Sequence, residues 1–281
     1  MNIEKIDPAT CVIRSTHSRS GRTEWVAPAT TAARNLHYGR IRLAEGDQPV
    51  RVDPGPMETG LVSLVGEAVV EVGTARFVMH PYDSLYVPRA AGFSVKPGAG
   101  GCDLAEIAAP VEGNYPLQFV PFADVLQDPG LHFKSGGPNC ERTINVLLGK
   151  NTQAGRIVAG VTFSEPGHWT SWPPHEHTEM LEEAYLYVDM PAPAFGVQLV
   201  YSNPFEPELA TIVREGDVVL MPQGYHPNVA APGYRIGFIW MMAANRELVD
   251  RQFGVVNVQP EFSGTASGLD RGRADANVPR R

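Results

Sequence analysis

The sequence predicts an all-β fold of two antiparallel barrels in tandem, and three observations carry that reading. Strand-like runs are short and rich in β-branched residues, and turn residues separate them throughout, with 28 glycines and 25 prolines in the chain. No long segment keeps a helical period. A hexapeptide also recurs, Asp83-Ser84-Leu85-Tyr86-Val87-Pro88 in one half and Asp217-Val218-Val219-Leu220-Met221-Pro222 in the other. Such a match is expected from an internal duplication with one barrel per half.

Taken in order, residues 61–65 and 67–72 are strand candidates divided by Gly66; residues 75–79 and 84–87 follow, the last stopping at Pro88. The rhythm returns with 156–163 ahead of Gly167, then 184–188, 197–201, 210–214 and 217–221, the last running into Pro222. Residues 235–242 close the series, and alternation puts Ile236, Phe238, Trp240 and Met242 on one face. Residues 122–141 are richer in Pro, Gly and Asp. The expected organisation is a first barrel over 1–121, a connection over 122–150, a second barrel over 151–256 and a tail over 257–281. The tail carries Arg271, Arg273, Arg280 and Arg281 and few large apolar groups, which suits a loosely docked segment or a contact with a neighbouring subunit.

Composition narrows the function. A hydrophobic fraction of 43% with 19% charged residues suits a folded, soluble chain. No apolar run reaches the roughly 20 residues of a membrane span, and the opening residues lack the apolar core of a secretory signal. Cys11, Cys102 and Cys140 are far apart and odd in number, as expected of thiols in a reducing compartment, so the cytoplasm is the expected location. With a net charge of −8 and no basic stripe, nucleic acid is not an expected partner.

One stretch carries chemistry. His175 and His177 stand at i and i+2 on a strand-like segment, so both imidazoles can reach one ion. A carboxylate follows, from Glu182 or Glu183, and His226 comes after Gly216, Pro222 and Gly224. Only one of the two glutamates can face the barrel lumen. With Glu183 inward, Tyr185 and Tyr187 face in as well; with Glu182 inward, their hydroxyls point away and the surroundings of the ion become apolar. A polar pocket favours Glu183. The expected cofactor is one divalent ion per chain, held by His175, His177, Glu183 and His226, and such a mixed N/O set suits Zn, Mn, Fe, Co or Ni. The plainer alternative keeps the histidines for packing. The first half has Met57-Glu58-Thr59-Gly60 where paired histidines would fall and Phe93 where a third is expected. Glu58 and His80 are therefore expected as surface or packing residues, in a metal-free structural barrel that covers the second and builds a homo-oligomer.

The order His-x-His, Glu, Gly-x5-Pro-x-Gly-x-His resembles the cupin pattern, with His226 one position tighter after its glycine than is common. From Trp169 to Met242 the chain resembles the sugar-acid isomerase branch of the cupins, the 5-deoxy-glucuronate isomerases and the 5-keto-4-deoxyuronate ketol-isomerases. The residues that carry the resemblance are Trp172-Pro173-Pro174-His175-Glu176-His177, Leu181-Glu182-Glu183, Gln198-Leu199-Val200-Tyr201 and the run from Gly216 to Pro227, with Arg142-Thr143-Ile144-Asn145 ahead of them. Two departures bear on the substrate: only Thr178-Glu179-Met180 separate His177 from Leu181, nearer the ketol-isomerases, and Leu199 stands where the inositol group tends to have an arginine.

The resemblance implies a bicupin of two double-stranded β-helix (jelly-roll) barrels and an aldose–ketose isomerisation of an acidic sugar such as 5-deoxy-glucuronate. The ion would polarise the carbonyl, and a base would move a proton between adjacent carbons. Tyr185, Tyr187, Glu182 or a hydroxide on the ion could be that base. Arg142 is the candidate for the substrate carboxylate, with a structural ion pair as its alternative. Gln198 and Tyr201 could bind hydroxyls, while Lys150 and Arg235 read as surface. Two other function classes stay open at this point, an oxygenase at the same metal site and a sugar-binding bicupin without turnover.

Overall fold

The chain opens with a short helix, α1 (Pro8–Cys11), and a two-residue strand, β1 (Val12–Ile13). Its structure is a computed structural model that describes residues 6–265 together with Gly268 and Leu269. The tail arginines Arg271, Arg273, Arg280 and Arg281 lie outside the described residues.

The first barrel is built from β2 (Gly21–Val26), β3 (His37–Leu43), β4 (Val50–Val52), β5 (Met57–Val72), β6 (Ala75–Met79), β7 (Ser84–Val87), β8 (Phe93–Pro110) and β9 (Gln118–Val120). Among the described residues they form one sheet in the order β2-β3-β8-β5-β7-β9, with β4 on β8 and β6 on β5. The two runs that the sequence divides at Gly66 are one long strand with a bend. Pairing with β8 slips between Ser63 and Val65 and again between Gly66 and Ala68, and such bulges turn a strand sharply. Gly66 has a φ of 75°, and a Cβ there would stand 2.1 Å from the Gly101 carbonyl oxygen, so the turn admits only glycine. The bend lets β5 pair with β7 before it and with β6 after it. Ile41, Leu61, Val70, Leu85, Phe93 and Leu104 fill the interior.

A helix, α2 (Phe122–Gln127), leads to the second barrel. Its strands are β10 (His132–Ser135), β11 (Arg142–Leu148), β12 (Ile157–Ser164), β13 (Trp169–Thr170), β14 (His175–Glu176), β15 (Leu181–Val188), β16 (Gly196–Val200), β17 (Leu209–Val213), β18 (Val218–Met221), β19 (Asn228–Ala230), β20 (Gly237–Ala244) and β21 (Asn257–Val258). One sheet runs β1-β18-β15-β20-β12-β11-β10, a second β13-β19-β16-β17, and β14 pairs with β21.

Three expected boundaries therefore shift. Residues 122–150 are not a plain connection, because β10 and β11 belong to the second barrel's sheet. The N-terminal strand crosses over, Val12 pairing with Val219 and Ile13 with Val218. The segment after 256 begins with a strand on the His-x-His stretch, where Val258 pairs with His175 and Asn257 with Glu176. Each shift covers an edge whose backbone groups would otherwise lack partners.

The two halves share one apolar core, to which the first barrel gives Val62, Leu64, Tyr86 and Ile107 and the second gives Leu148, Ile157, Ala159 and Val161. Two buried carboxylates clasp across this core. Glu58, fully buried, accepts from the amides of Gly155 at 2.7 Å, Arg156 at 2.6 Å and Ile157 at 2.7 Å, and from the Tyr86 hydroxyl at 2.7 Å. Glu182 accepts from the amides of Arg34 at 2.6 Å and Leu36 at 2.6 Å, and from that of Asn35 between them. The two clasps are equivalent by duplication. Thr59 pairs with Val87 and Glu183 with Met221, and these partners occupy matching places in the repeated hexapeptide, so Glu58 corresponds to Glu182. Glu58 is thus neither a surface residue nor mere packing, whereas His80 lies exposed beside Glu67 and Asp83.

Glu58→Ala leaves three amides, two of them buried, without their acceptor and is expected to lower the free energy of unfolding by about 3 kcal/mol or more. His80→Ala, on the surface, should change it by less than about 0.5 kcal/mol. Chemical denaturation measures both, and equally small effects would show that the clasp does not hold the halves together.

Candidate metal centre

The strand β15 is buried along its whole length, so its alternation decides what enters the lumen. Glu182 turns to the first barrel and its clasp, and Glu183, one residue on, turns inward with Tyr185. β14 and the residue that follows it bring His175 and His177 to the same place, and the loop before β19 brings His226.

Each imidazole is fixed through Nδ1. That of His175 lies 2.8 Å from the Pro173 carbonyl oxygen, that of His177 2.9 Å from Leu181 O, and that of His226 2.9 Å from Gly224 O. A carbonyl only accepts, so the proton sits on Nδ1 and Nε2 presents a lone pair. Glu183 Oε2 lies 3.2 Å from His177 Nε2 and 3.1 Å from His226 Nε2. The ligand atoms of His177, Glu183 and His226 all fall within 4.8 Å of one another, and the His175 ring centroid is 5.1 Å from that of His226. Glu183 Oε1 and His226 Nε2 are buried and lack a hydrogen-bond partner among the described residues. Acceptors thus face acceptors in a buried place, and a cation between them would resolve the arrangement. The donor set fits a divalent ion.

The electrostatics agree. Burial, and after it the neighbouring His226, pushes His175 down to about 3, so this ring stays neutral. Burial alone would raise Glu183, but the neighbouring His177 and His226 outweigh it and hold the carboxylate at about 2, so Glu183 is the anion of the set. The same Glu183 raises His177 against its burial.

From this cluster a cavity runs along the barrel, lined on its polar side by Arg142, Ser171, Glu183 and Tyr185 and on its apolar side by Ile144, Phe238, Trp240, Met242, Phe253 and Leu269. The Tyr185 hydroxyl is 2.7 Å from Ser171 Oγ, and burial followed by the Glu183 charge raises this phenol well above its ordinary value. Arg142 donates to the carbonyls of Cys140 at 3.0 Å and Trp172 at 2.9 Å, which orient its guanidinium.

Other expected site residues lie elsewhere. Glu182 is corrected out of any base role, since its carboxylate faces away from the cluster and holds three amides. Gln198 does not reach the cavity. It donates to the carbonyls of His226 at 2.9 Å and Pro227 at 3.2 Å and accepts from the Tyr187 hydroxyl at 2.5 Å, so Gln198 and Tyr187 together set the His226 loop. The Tyr201 hydroxyl is committed to Gln259 Oε1 at 2.7 Å, and Gln259 in turn donates its amide to Pro174 O at 2.9 Å. Sequence reasoning missed Ser171, whose φ of 50° is unusual for a residue other than glycine, and also Phe253 and Leu269. The latter two sit far along the chain from every motif, and no local pattern marks them.

Three comparisons bear on this architecture. An IolB-like protein from Salmonella typhimurium LT2, known from its crystal structure, superposes with a TM-score of 0.80 at 22% identity over 90% of this chain and 98% of that one. A mutant of Bacillus subtilis oxalate decarboxylase, an enzyme with Mn(II) centres, superposes at 0.61 with 13% identity over 86% and 79% of the two chains. The fold is that of the bicupins. A 5-deoxy-glucuronate isomerase of Geobacillus thermodenitrificans (strain NG80-2) is 31% identical over 250 residues, 82% of this chain and 89% of that one. The KduI/IolB family model matches residues 11–257, from the crossing N-terminal strand to the strand that pairs with the histidines, and the chain belongs to that family.

Proposed function

We propose that this protein is a sugar isomerase that interconverts the aldose and ketose forms of an acidic deoxy-sugar, 5-deoxy-glucuronate being the substrate its relatives' names point to. One observation carries the reading beyond family membership. A single cavity is lined both by His175 and Glu183 of the cluster and by the oriented guanidinium of Arg142. An acid with a carbonyl at its far end would meet both.

A divalent ion held by His175, His177, Glu183 and His226 would supply Lewis acidity toward the carbonyl and its neighbouring hydroxyl. The remaining work falls to the chain. Arg142 holds the carboxylate and so fixes which carbons lie beside the histidines. Tyr185, in the cavity and bonded to Ser171, is the candidate to hold a proton between the adjacent carbons. The apolar side chains exclude water from the path. The free thiols of Cys11, Cys102 and Cys140 support a reducing, cytoplasmic setting, and no helix among the described residues is long and apolar enough to cross a membrane. The first barrel, with Thr59 in the place of Glu183, is read as metal-free, and a homo-oligomer is the expected assembly.

Metal analysis is expected to find about one ion per chain, and His175→Ala or His226→Ala should each empty the site. Undiminished metal in both would remove the assignment. A paired comparison separates the glutamates. Glu183→Gln should lose metal and keep its fold, whereas Glu182→Gln should keep metal and lose stability, and the reverse ranking would contradict the strand register.

Arg142→Gln should lower kcat/KM by about 10- to 100-fold, the range for a charged hydrogen bond. An unchanged value would place the carboxylate elsewhere. In heavy water the product should carry deuterium at the carbon that receives the proton, as a proton-transfer route through an enediol requires. A product free of deuterium would replace that route by a hydride shift.

A further inference from the structure

Thr162 lines the cavity as a polar group that neither the histidine cluster nor Arg142 accounts for. It stands on β12 between its ladder partners, Ile144 of β11 and Phe238 of β20, and only 4% of it is exposed. Its oxygen accepts from Trp240 Nε1 at 3.2 Å. That contact has a cause in the sequence. Gly160, two residues earlier and on the same face of β12, pairs with Trp240, and a Cβ there would stand 2.0 Å from Trp240 Cζ2. The indole therefore lies across the bare glycine, and Phe253 stacks on it with ring centroids 4.7 Å apart. Held in this way, it brings its N–H to the threonine.

An indole N–H only donates, so it occupies a lone pair of the Thr162 oxygen and leaves the hydroxyl proton to be given elsewhere. Among the described residues none accepts that proton. A donor on the oxygen also polarises the hydroxyl and makes it a stronger donor in turn. About 40 Å³ stays open between the lining side chains, room for a few water molecules, and a sugar acid that enters displaces them. Each hydroxyl it brings gives up water on the way in, and one that finds no new partner weakens binding by about 10- to 100-fold.

We infer that Thr162 is a substrate-binding residue, whose hydroxyl donates to a hydroxyl oxygen on the middle carbons of the sugar acid while Trp240 sets the direction of that donation. The inference rests on the isomerase reading and deepens it. Arg142 takes the carboxylate, and the carbonyl end lies beside His175 and Glu183, so the carbons between them are left to the other walls. Ile144 and Phe238, on either side of Thr162, offer hydrocarbon alone. The threonine thus gives the carbon chain a polar contact between its two ends and fixes how it lies against the sheet.

The test measures kcat/KM for 5-deoxy-glucuronate in metal-loaded wild type, Thr162→Val, Thr162→Ser, Trp240→Phe and the double variant Trp240→Phe/Thr162→Val. Thr162→Val keeps the shape and removes the hydroxyl, and should lower kcat/KM by about 10- to 100-fold. Thr162→Ser keeps the hydroxyl and should stay within about threefold of wild type. Thr162→Val also strips the buried indole N–H of its acceptor, and the double variant separates that effect from the substrate contact. With the indole N–H gone from both, the step from Trp240→Phe to the double variant reads the substrate contact alone and should again be about 10-fold or more. This step also decides the matter if Thr162→Val by itself does not fold. An unchanged value in Thr162→Val, an equal loss in Thr162→Ser, or no further loss in the double variant overturns the inference and leaves the isomerase standing. Absence of turnover of 5-deoxy-glucuronate by the metal-loaded wild type overturns the isomerase reading and this inference together.

Discussion

Glu58 and Glu182 each set a carboxylate beneath three consecutive backbone amides of the opposite barrel, and much of the molecule's order depends on that exchange. A carboxylate drawn out of water is costly unless its oxygens are filled. These are filled by amides that open β12 and that lead into β3, groups which would otherwise be unpaired at the start of a strand. The geometry also fixes a pleat. Once Glu182 is turned toward the first barrel, Glu183 has no choice but to face the lumen. Its orientation is thus set by contacts on the other side of the strand, made with residues more than a hundred positions earlier.

The two barrels show how one scaffold carries opposite chemistry. Following the ladders from Thr59 and Glu183, Ala108 corresponds to Met242, Glu106 to Trp240 and Gly39 to Gly160. The first barrel keeps a cleft at the matching place, lined by Arg22, Glu24, His37, Thr59 and Glu106. There Arg22 grips Glu106 through two hydrogen bonds of 2.7 and 2.8 Å. The charges in that cleft are consumed by one another, whereas in the second barrel Glu183 faces lone pairs. An ion pair closes one cup; acceptors without a donor leave the other ready for a cation.

Local chemistry was legible in the sequence, and long-range exchange was not. The i, i+2 histidines, the glycine and proline before His226 and the alternation along β15 and β20 are patterns within a few residues, and backbone periodicity translates them directly into faces. The reading of Glu58 as unremarkable missed its role because nothing near it in sequence names its partners at Gly155, Arg156 and Ile157. The strand at Val12 and Ile13 and the strand at Asn257 and Val258 are too short to show a period, and each exists only because a segment distant in sequence offers an edge. Gln198 illustrates a different limit. Residue type suggested sugar binding, and the same donors and acceptors instead serve the backbone of the His226 loop.

The pairing of β21 with β14 has a consequence for how the site comes into being. His175 and His177 emerge from the ribosome many residues ahead of His226, and their strand gains its partner only when Asn257 and Val258 follow. The cluster of His175, His177, Glu183 and His226 is thereby complete only late in synthesis, once the segment at Asn257 and Val258 is available to hold its first strand.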